Sequence, residues 1–413
     1  MQRDSTGTVG RRGRPRLTLA AAGPPRSAGG GRGRRPRPGA WAWLLVLPLG
    51  IAVAALTVYL SRGGSSSGGS GGGRAAPGKV VVASVPYWNI SNGTAAVLAR
   101  RGDVSEVSPW MYGLGAGSRI VLDSGINAAA TGGYLSQLRT QGLLIVPTLA
   151  NVDPQGNWAY RPVASMLHDR ALMTQQIGEI VALVQQHHYA GIDIDYEDLH
   201  PGDRQAFTTF IARLASALHA KGKILSVALF AKASNAGYAP RNLAQDYAAI
   251  GRAADQVRLM GYDYHWATSP PGPVAPLSWL QAVLGYARSQ IPASKIILGI
   301  PFYGYDWSGG HGAGLTWARA VQLAGRHHAR VHYDTTSQSP WFSYTDSAGH
   351  RHTVWFEDAR STRAKFSLAR KAGIGGVYLW MYGNPDPATW SALRHALPIG
   401  RPTTAPARGS GSP

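Results

Sequence analysis

Gly191-Ile192-Asp193-Ile194-Asp195-Tyr196-Glu197 is the stretch that decides how this chain is read. Its Ile and Tyr residues favour a β-strand, in which side chains alternate between two faces. Asp193, Asp195 and Glu197 then share one face, and Ile192, Ile194 and Tyr196 share the other. A strand apolar outward and acidic inward is costly as a mere packing element, because buried charges must be paired or neutralised. Crowded carboxylates push their pKa values apart, and one stays protonated near neutral pH as a general acid. Cleavage of an acetal bond needs such an acid. A calcium loop also opens Asp-x-Asp, but it requires Gly at its sixth position and Glu at its twelfth. Asp198 and Arg204 stand there instead.

Outward from this strand the chain alternates short β-branched runs with amphipathic segments, the pattern of parallel βαβ units. Eight strands are predicted, over Val80–Trp88, Glu106–Tyr112, Leu143–Asn151, Gly191–Glu197, Ile224–Phe230, Gln256–Tyr264, Ile296–Tyr303 and Gly373–Tyr382. Between the fourth and fifth, Phe207, Phe210, Ile211, Leu214 and Leu218 fall at helical spacing. Gln176–Gln186 is a second amphipathic segment. Eight such units predict an α/β fold, a (β/α)8 TIM barrel, with catalytic groups at the C-terminal ends of its strands. Those ends carry Tyr87 and Trp88, then Asp195 to Glu197, and Met260-Gly261-Tyr262-Asp263-Tyr264-His265-Trp266. Tyr303 and Trp380 follow on the seventh and eighth strands. Aromatic rings beside carboxylates, repeated at one end of a barrel, fit a carbohydrate cleft. The connection over residues 308–360 is too long for a simple loop. It predicts a small α+β insertion between strands seven and eight, with a helix over Thr316–Arg326 and a hairpin built on Trp341–Thr345 and His352–Phe356. His327, His328 and His332 within it do not have zinc-ligand spacing, and no metal site is expected.

The 413 residues carry a formal net charge of +20. Ten arginines and one acid fall in residues 1–40, so 31 basic and 20 acidic residues remain beyond them. Residues 1–40 read as a basic, disordered, cytoplasmic tail. Residues 41–60 carry no charge and run from Trp41 to Leu60, enough to cross a bilayer as a transmembrane helix. Basic residues upstream, with Trp and Tyr at the two ends, fit a single-pass anchor with its N-terminus inside and the following domain extracellular. A cleaved signal, with Ala52-Val53-Ala54 as its cleavage site, is the alternative and would give a secreted chain. Residues 61–78 are mostly Gly and Ser, a flexible linker. The catalytic barrel is expected over residues 79–400 and a loose tail over 401–413. No cysteine is present anywhere, which excludes disulfides, thiolate metal sites and cysteine nucleophiles.

Over most of residues 79–398 the sequence resembles glycoside hydrolase family 18, the chitinase-type barrels, and within it the bacterial branch of spore-cortex and cell-wall lytic enzymes. The resemblance rests on the last three acids of Asp-x-x-Asp-x-Asp-x-Glu, here Asp193, Asp195 and Glu197. It rests also on Met260-Gly261-Tyr262-Asp263 and Trp380, and on the blocks Ile300-Pro301-Phe302-Tyr303-Gly304 and Val354-Trp355-Phe356-Glu357-Asp358. The first acid of the signature falls at Ala190. In the family that acid pairs with the middle Asp, so its loss is expected to alter the pH profile. The resemblance implies a retaining mechanism in which the substrate's own 2-acetamido oxygen attacks the anomeric carbon. Glu197 would be the acid and then the base. Asp195 would orient the acetamido group, and Asp193 would modulate Asp195. Tyr262 would bind the acetamido carbonyl, Asp263 would support the distorted ring, and Trp380 would stack beneath it. Tyr87, Trp88, Met260, Tyr264, His265, Trp266 and Tyr303 are the further substrate-binding candidates. No cofactor is implied.

The expected partner is an N-acetylglucosamine-containing polysaccharide, either peptidoglycan or chitin, met by a monomer held at the membrane. A chitinase-like lectin without activity is the alternative. A nucleic-acid-binding role accounts for the basic tail but for none of the cleft, and nucleic acid is not an expected partner.

Overall fold

The structure, a computed structural model, describes residues 78–400 apart from 124, 125 and 384. The expected cytoplasmic tail, the span 41–60, the linker up to residue 77 and the tail from 401 lie outside the described residues. Among the described residues, no helix is long and apolar enough to cross a membrane.

Eight parallel strands close on themselves. They are β1 (Val80–Pro86), β2 (Glu106–Leu114), β3 (Leu144–Ile145 and Thr148–Ala150), β4 (Gly191–Asp195), β5 (Ile224–Phe230), β6 (Gln256–Met260), β7 (Ile296–Pro301) and β8 (Gly376–Trp380). Their order around the sheet is β1-β8-β7-β6-β5-β4-β3-β2, and pairing of β1 with β2 closes the ring. This is the (β/α)8 barrel that the alternating pattern predicts. Several strands end earlier than predicted. β1 stops at Pro86, where Tyr87–Asn89 form a 3-10 turn, and β6 stops at Met260. β3 is interrupted at Val146-Pro147, since proline has no N–H to donate to the ladder.

Apolar stripes hold the outer helices on the barrel. Phe207, Phe210, Ile211, Leu214 and Leu218 of the helix Arg204–His219 are all buried. They meet the outward side of β4 and of the residue that follows it: Tyr196 stacks on Phe210 with ring centroids 5.8 Å apart, and its hydroxyl donates to Gln176 Oε1. Each large apolar side chain so buried contributes roughly 1.5–3 kcal/mol. Helices begin at the mouth of the barrel, where Asp169, Asp246 and Asp358 accept hydrogen bonds from first-turn N–H groups.

Between β7 and β8 lies a five-stranded antiparallel sheet made of Gly304–Ser308, His311–Leu315, His332–Asp334, Ser339–Thr345 and Arg351–Trp355. Its first strand starts at Gly304, directly after β7. The helix Trp317–Arg326 packs on it through Ala320, Leu323 and Ala324, beside Phe342 and Val354.

Candidate active site

Alternation along β4 turns Asp193 and Asp195 inward, while Ile192 and Ile194 are fully buried against the helices. Pairing with β3 sets Asp193 beside Thr148 and Asp195 beside Ala150. Just past the strand, Asn151 clasps the backbone of Glu197, accepting its N–H at 2.7 Å and donating to its carbonyl at 2.9 Å. Asp193, Asp195 and Glu197 thus line one cleft of about 400 Å³ of empty space, open to solvent. Ser84 of β1, Trp110 of β2, Thr148 of β3, Ala228 of β5, Arg258 and Met260 of β6, Tyr262, and Tyr378 and Trp380 of β8 complete its walls.

The cleft is layered. Lowest is an ionic layer in which the buried Arg258 guanidinium bonds the Glu106 carboxylate and lies 3.1 Å from Asp193 Oδ2. Arg258 also donates to Ser108 Oγ at 2.6 Å, and Thr148 donates to Asp193 Oδ2 at 3.0 Å. Asp193 therefore meets a cation. Ala190, by alternation, has the parity of Ile192 and Ile194, which is the opposite side from Asp193. In this chain the partner of Asp193 is Arg258, two strands further along the sequence, and not a residue at position 190.

Above that layer the charges lack such compensation. Burial pushes the Asp195 carboxyl up to about 7, helped by the negative charge of Asp193. Its Oδ1 has no hydrogen-bond partner within the protein. Burial and then the charge of Asp195 hold the Glu197 carboxyl well above the usual range. Arg241 opposes this only from 3.8 Å, because its guanidinium bonds Asp198 at 2.5 Å. Both effects favour the protonated form of Glu197, the form that a general acid needs.

The far wall comes from the turn after β6. Asp263 is 1% exposed, sits at a positive φ of 54°, and accepts from Tyr303 at 2.6 Å and Tyr305 at 3.1 Å. Burial nevertheless raises its carboxyl to about 7, and its Oδ2 has no partner in the protein. Tyr262 and Tyr378 share a hydrogen bond of 2.8 Å, and the Tyr262 ring stacks on Trp380 at 6.4 Å. Trp380 Nε1 is buried and unpartnered. Tyr87 stacks on Trp110 at 5.6 Å, and the half-exposed Trp88 stands edge-on to Trp110 and Trp380 at the rim.

Of the thirteen sequence-predicted residues, Asp193, Asp195, Glu197, Met260, Tyr262 and Trp380 line the cleft. Asp263, Tyr87, Trp88, Trp266 and Tyr303 pack around those, and Tyr264 and His265 are engaged elsewhere. Tyr264 packs on Trp279 at 5.2 Å, and His265 Nδ1 meets the Pro270 carbonyl at 2.9 Å within its own turn. The physical reason is the end of β6 at Met260, beyond which strand alternation no longer aims side chains inward. Trp266 packs against the edge of the site cluster, its indole N–H spent on Thr268. Sequence reasoning missed Trp110, Thr148, Asn151, Arg258 and Arg241. Tyr378 was open to discovery, standing two residues before Trp380 on the same face of β8. In the insertion, His327 stacks on Tyr344 and His332 on Trp341. No group of three or more His, Asp or Glu able to hold a metal ion occurs among the described residues.

The family described as "Glycosyl hydrolases family 18" matches residues 156–384. The cortical fragment-lytic enzyme of Bacillus subtilis (strain 168) is 34% identical over 298 residues, covering 70% of this chain and 68% of that protein. The enzyme of the same name from Bacillus cereus is 34% identical over 63% of this chain and 61% of its own length. The chain thus spans about two thirds of the length of these relatives. Among solved structures, the chitinase of Chromobacterium violaceum ATCC 12472 has a TM-score of 0.72 at 34% identity, covering 77% of this chain and 98% of its own. The Bacillus cereus spore cortex-lytic enzyme SleL has a TM-score of 0.71 at 27% identity, covering 79% and 75%.

Proposed function

The chain belongs to glycosyl hydrolases family 18 and is a glycosidase, and from that premise we propose that it cleaves β-linked N-acetylglucosamine polymers with the substrate's acetamido group as nucleophile. One observation carries the reading: β4 and the residues just past its end present Asp193, Asp195 and Glu197 to one cleft, with Asp195 and Glu197 both held at raised pKa. The sugar would lie over Trp380 with its glycosidic oxygen at Glu197. Glu197 donates its proton to the leaving oxygen as the glycosidic C–O bond breaks and the acetamido oxygen closes on the anomeric carbon, giving an oxazolinium ion. The Glu197 carboxylate then takes a proton from water as that water bonds the anomeric carbon and the oxazolinium ring C–O bond opens. The anomeric configuration is thereby retained and the acetamido group restored. Asp195, with its free Oδ1, accepts the acetamido N–H and offsets the positive charge on the ring that forms. Tyr262 donates to the acetamido oxygen, and Asp263 supports the distorted sugar. Positioned acids of this kind contribute roughly 10²–10⁴-fold.

The cortex- and chitin-directed names of its relatives make peptidoglycan and chitin the two substrates to compare. The uncharged span 41–60 behind ten arginines supports a membrane anchor with residues 61–413 outside the cell. A mature secreted chain beginning near Ala55 would replace that anchor by a cleaved signal. The decisive experiment sets acetylated against deacetylated oligosaccharides. The acetylated series should be hydrolysed and the deacetylated series should bind without turnover. Equal turnover of both, or a glycosyl ester trapped on an Asp, would sink the substrate-assisted mechanism. Sugar binding with no hydrolysis of any acetylated glycan would leave a lectin.

A further inference from the structure

The end of the barrel opposite the cleft, where strands begin and outer helices finish, is lined by cations. Arg100 and Arg101 follow the helix Ile90–Ala99. Arg252 lies in the last turn of Tyr247–Ala253, Arg288 in that of Leu277–Gln290, and Arg370 and Lys371 in that of Ala359–Lys371. All six are exposed. Their helices follow β1, β5, β6 and β7, and with exposed Arg139 in the last turn of Ala128–Thr140 after β2 and exposed Lys221 just past Arg204–His219 after β4, cations ring the base. Helix C-termini favour cations, which accounts for the sign of these residues. It does not account for the missing acids. Among the described residues, the acids at the outer rim of this end are Asp103 and Asp255. Asp103 is buried and held by Arg394 at 2.8 Å, and Asp255 is held by His219 at 2.8 Å. No exposed carboxylate faces solvent there to balance the six.

A second observation concerns where the chain joins the barrel. Lys79 bridges to Ile399, and its N–H donates to the Pro398 carbonyl at 2.7 Å, immediately before β1 begins. The residues that precede the barrel in sequence therefore connect at this same cationic end, while the cleft opens at the other.

We propose that the base is a membrane-docking face that seats on anionic phosphodiester headgroups of a lipid bilayer and turns the cleft away from it. The inference rests on the anchor reading above. Opposite charges at a surface attract within about a Debye length, roughly 8 Å at physiological ionic strength, so the contact requires the base itself to lie on the headgroups. Docking fixes one orientation in which glycan approaching from the wall side meets the mouth.

The absence of cysteine makes the test direct, because one introduced thiol is a unique label. The full-length chain carrying Ser289→Cys at the base, or Ser347→Cys at the tip of the insertion hairpin, is labelled with a fluorophore. It is then reconstituted into vesicles containing a headgroup-linked quencher. Vesicles are phosphatidylcholine alone or phosphatidylcholine with phosphatidylglycerol. The base label should be quenched severalfold more in the anionic vesicles, and about 1 M salt, where the screening length is about 3 Å, should reverse this. The combined variant Arg252→Glu, Arg288→Glu, Arg370→Glu, Lys371→Glu should abolish the difference while retaining parental turnover of a soluble oligosaccharide. The tip label should stay unquenched throughout. Equal quenching of the base in both lipids, no loss on charge reversal, or quenching of the tip overturns docking while the chain still floats with vesicles. A chain that floats with neither kind of vesicle overturns the anchor and the docking together.

Discussion

Two sets of buried carboxylates in this molecule are treated in opposite ways. Beneath the cleft, Glu106 and Asp193 meet Arg258, and at the junction of the insertion Glu357 meets Lys365 at 2.7 Å, both residues of that pair being almost fully buried. In the cleft itself, Glu197 and Asp263 are buried and Asp195 partly so, with hydroxyls, amides and one distant guanidinium for company. An unscreened buried carboxylate can lower its energy by keeping a proton. The paired group fixes structure, and the unpaired group stores reactivity. The difference implies that substitutions in the two regions should separate stability from turnover.

The sharpest break is Glu197→Gln. The amide keeps shape but cannot deliver a proton, so kcat should fall by about 10²–10⁴-fold while oligosaccharide binding, measured by calorimetry, persists. Turnover within a few-fold of the parent would remove Glu197 from the mechanism. Next comes the paired region. Lys365→Ala strands a buried carboxylate and should destabilise the fold by about 3–5 kcal/mol in chemical denaturation. Glu357→Gln with Lys365→Met should recover most of that loss, with kcat near parental in both folded variants. A large loss of kcat in the double variant would mean that the pair serves the chemistry after all.

Asp263→Asn probes an unpaired group by linkage. Below about pH 4 the carboxyl is protonated both folded and unfolded, so it contributes no difference. Between about 4 and the folded value of about 7 the unfolded chain ionises while the native site does not, and native stability is lost progressively as pH rises. The Asn variant should escape this loss. Its advantage in denaturation should grow from near zero at pH 4 to a few kcal/mol, roughly, at pH 7, at the expense of turnover. An advantage that is flat with pH would show that Asp263 is ionised in the native state. The smallest effect belongs to Tyr305→Phe, which removes the longer of the two hydrogen bonds to Asp263. The Asp263 carboxyl should titrate higher by up to about one unit, read by carbon NMR of labelled aspartate. A downward shift would contradict its role as a donor to the anion.

How much of this was legible depended on alternation. Along β4 a period of two sorts acid from apolar so cleanly that cleft and core faces are both readable. The same logic read past its limit at Tyr264 and His265, because strand geometry ceases at Met260 and Asp263 takes a positive φ. Trp110 was hidden for the opposite reason. All nine residues of β2 are buried, and only Glu106 and Ser108, which share the parity of Trp110, mark the side that meets the cleft. Arg258 was invisible in Gln-Val-Arg-Leu-Met because its partners, Glu106 and Asp193, come from strands distant in sequence. Alternation shows which side a residue faces, but it does not show what waits across the barrel.

Tyr305 stands on the first strand of the insertion, paired with Trp355, and its hydroxyl reaches the buried Asp263. That small sheet has an apolar cluster of its own around Phe342 and Val354. Should it open transiently without the barrel unfolding, Asp263 loses one of its two hydroxyl donors with each opening. Amide exchange rates along Gly304–Ser308 would then form a clock for how often the enzyme is out of service, and a glycan that slows that clock would be one that spans both the cleft and the sheet.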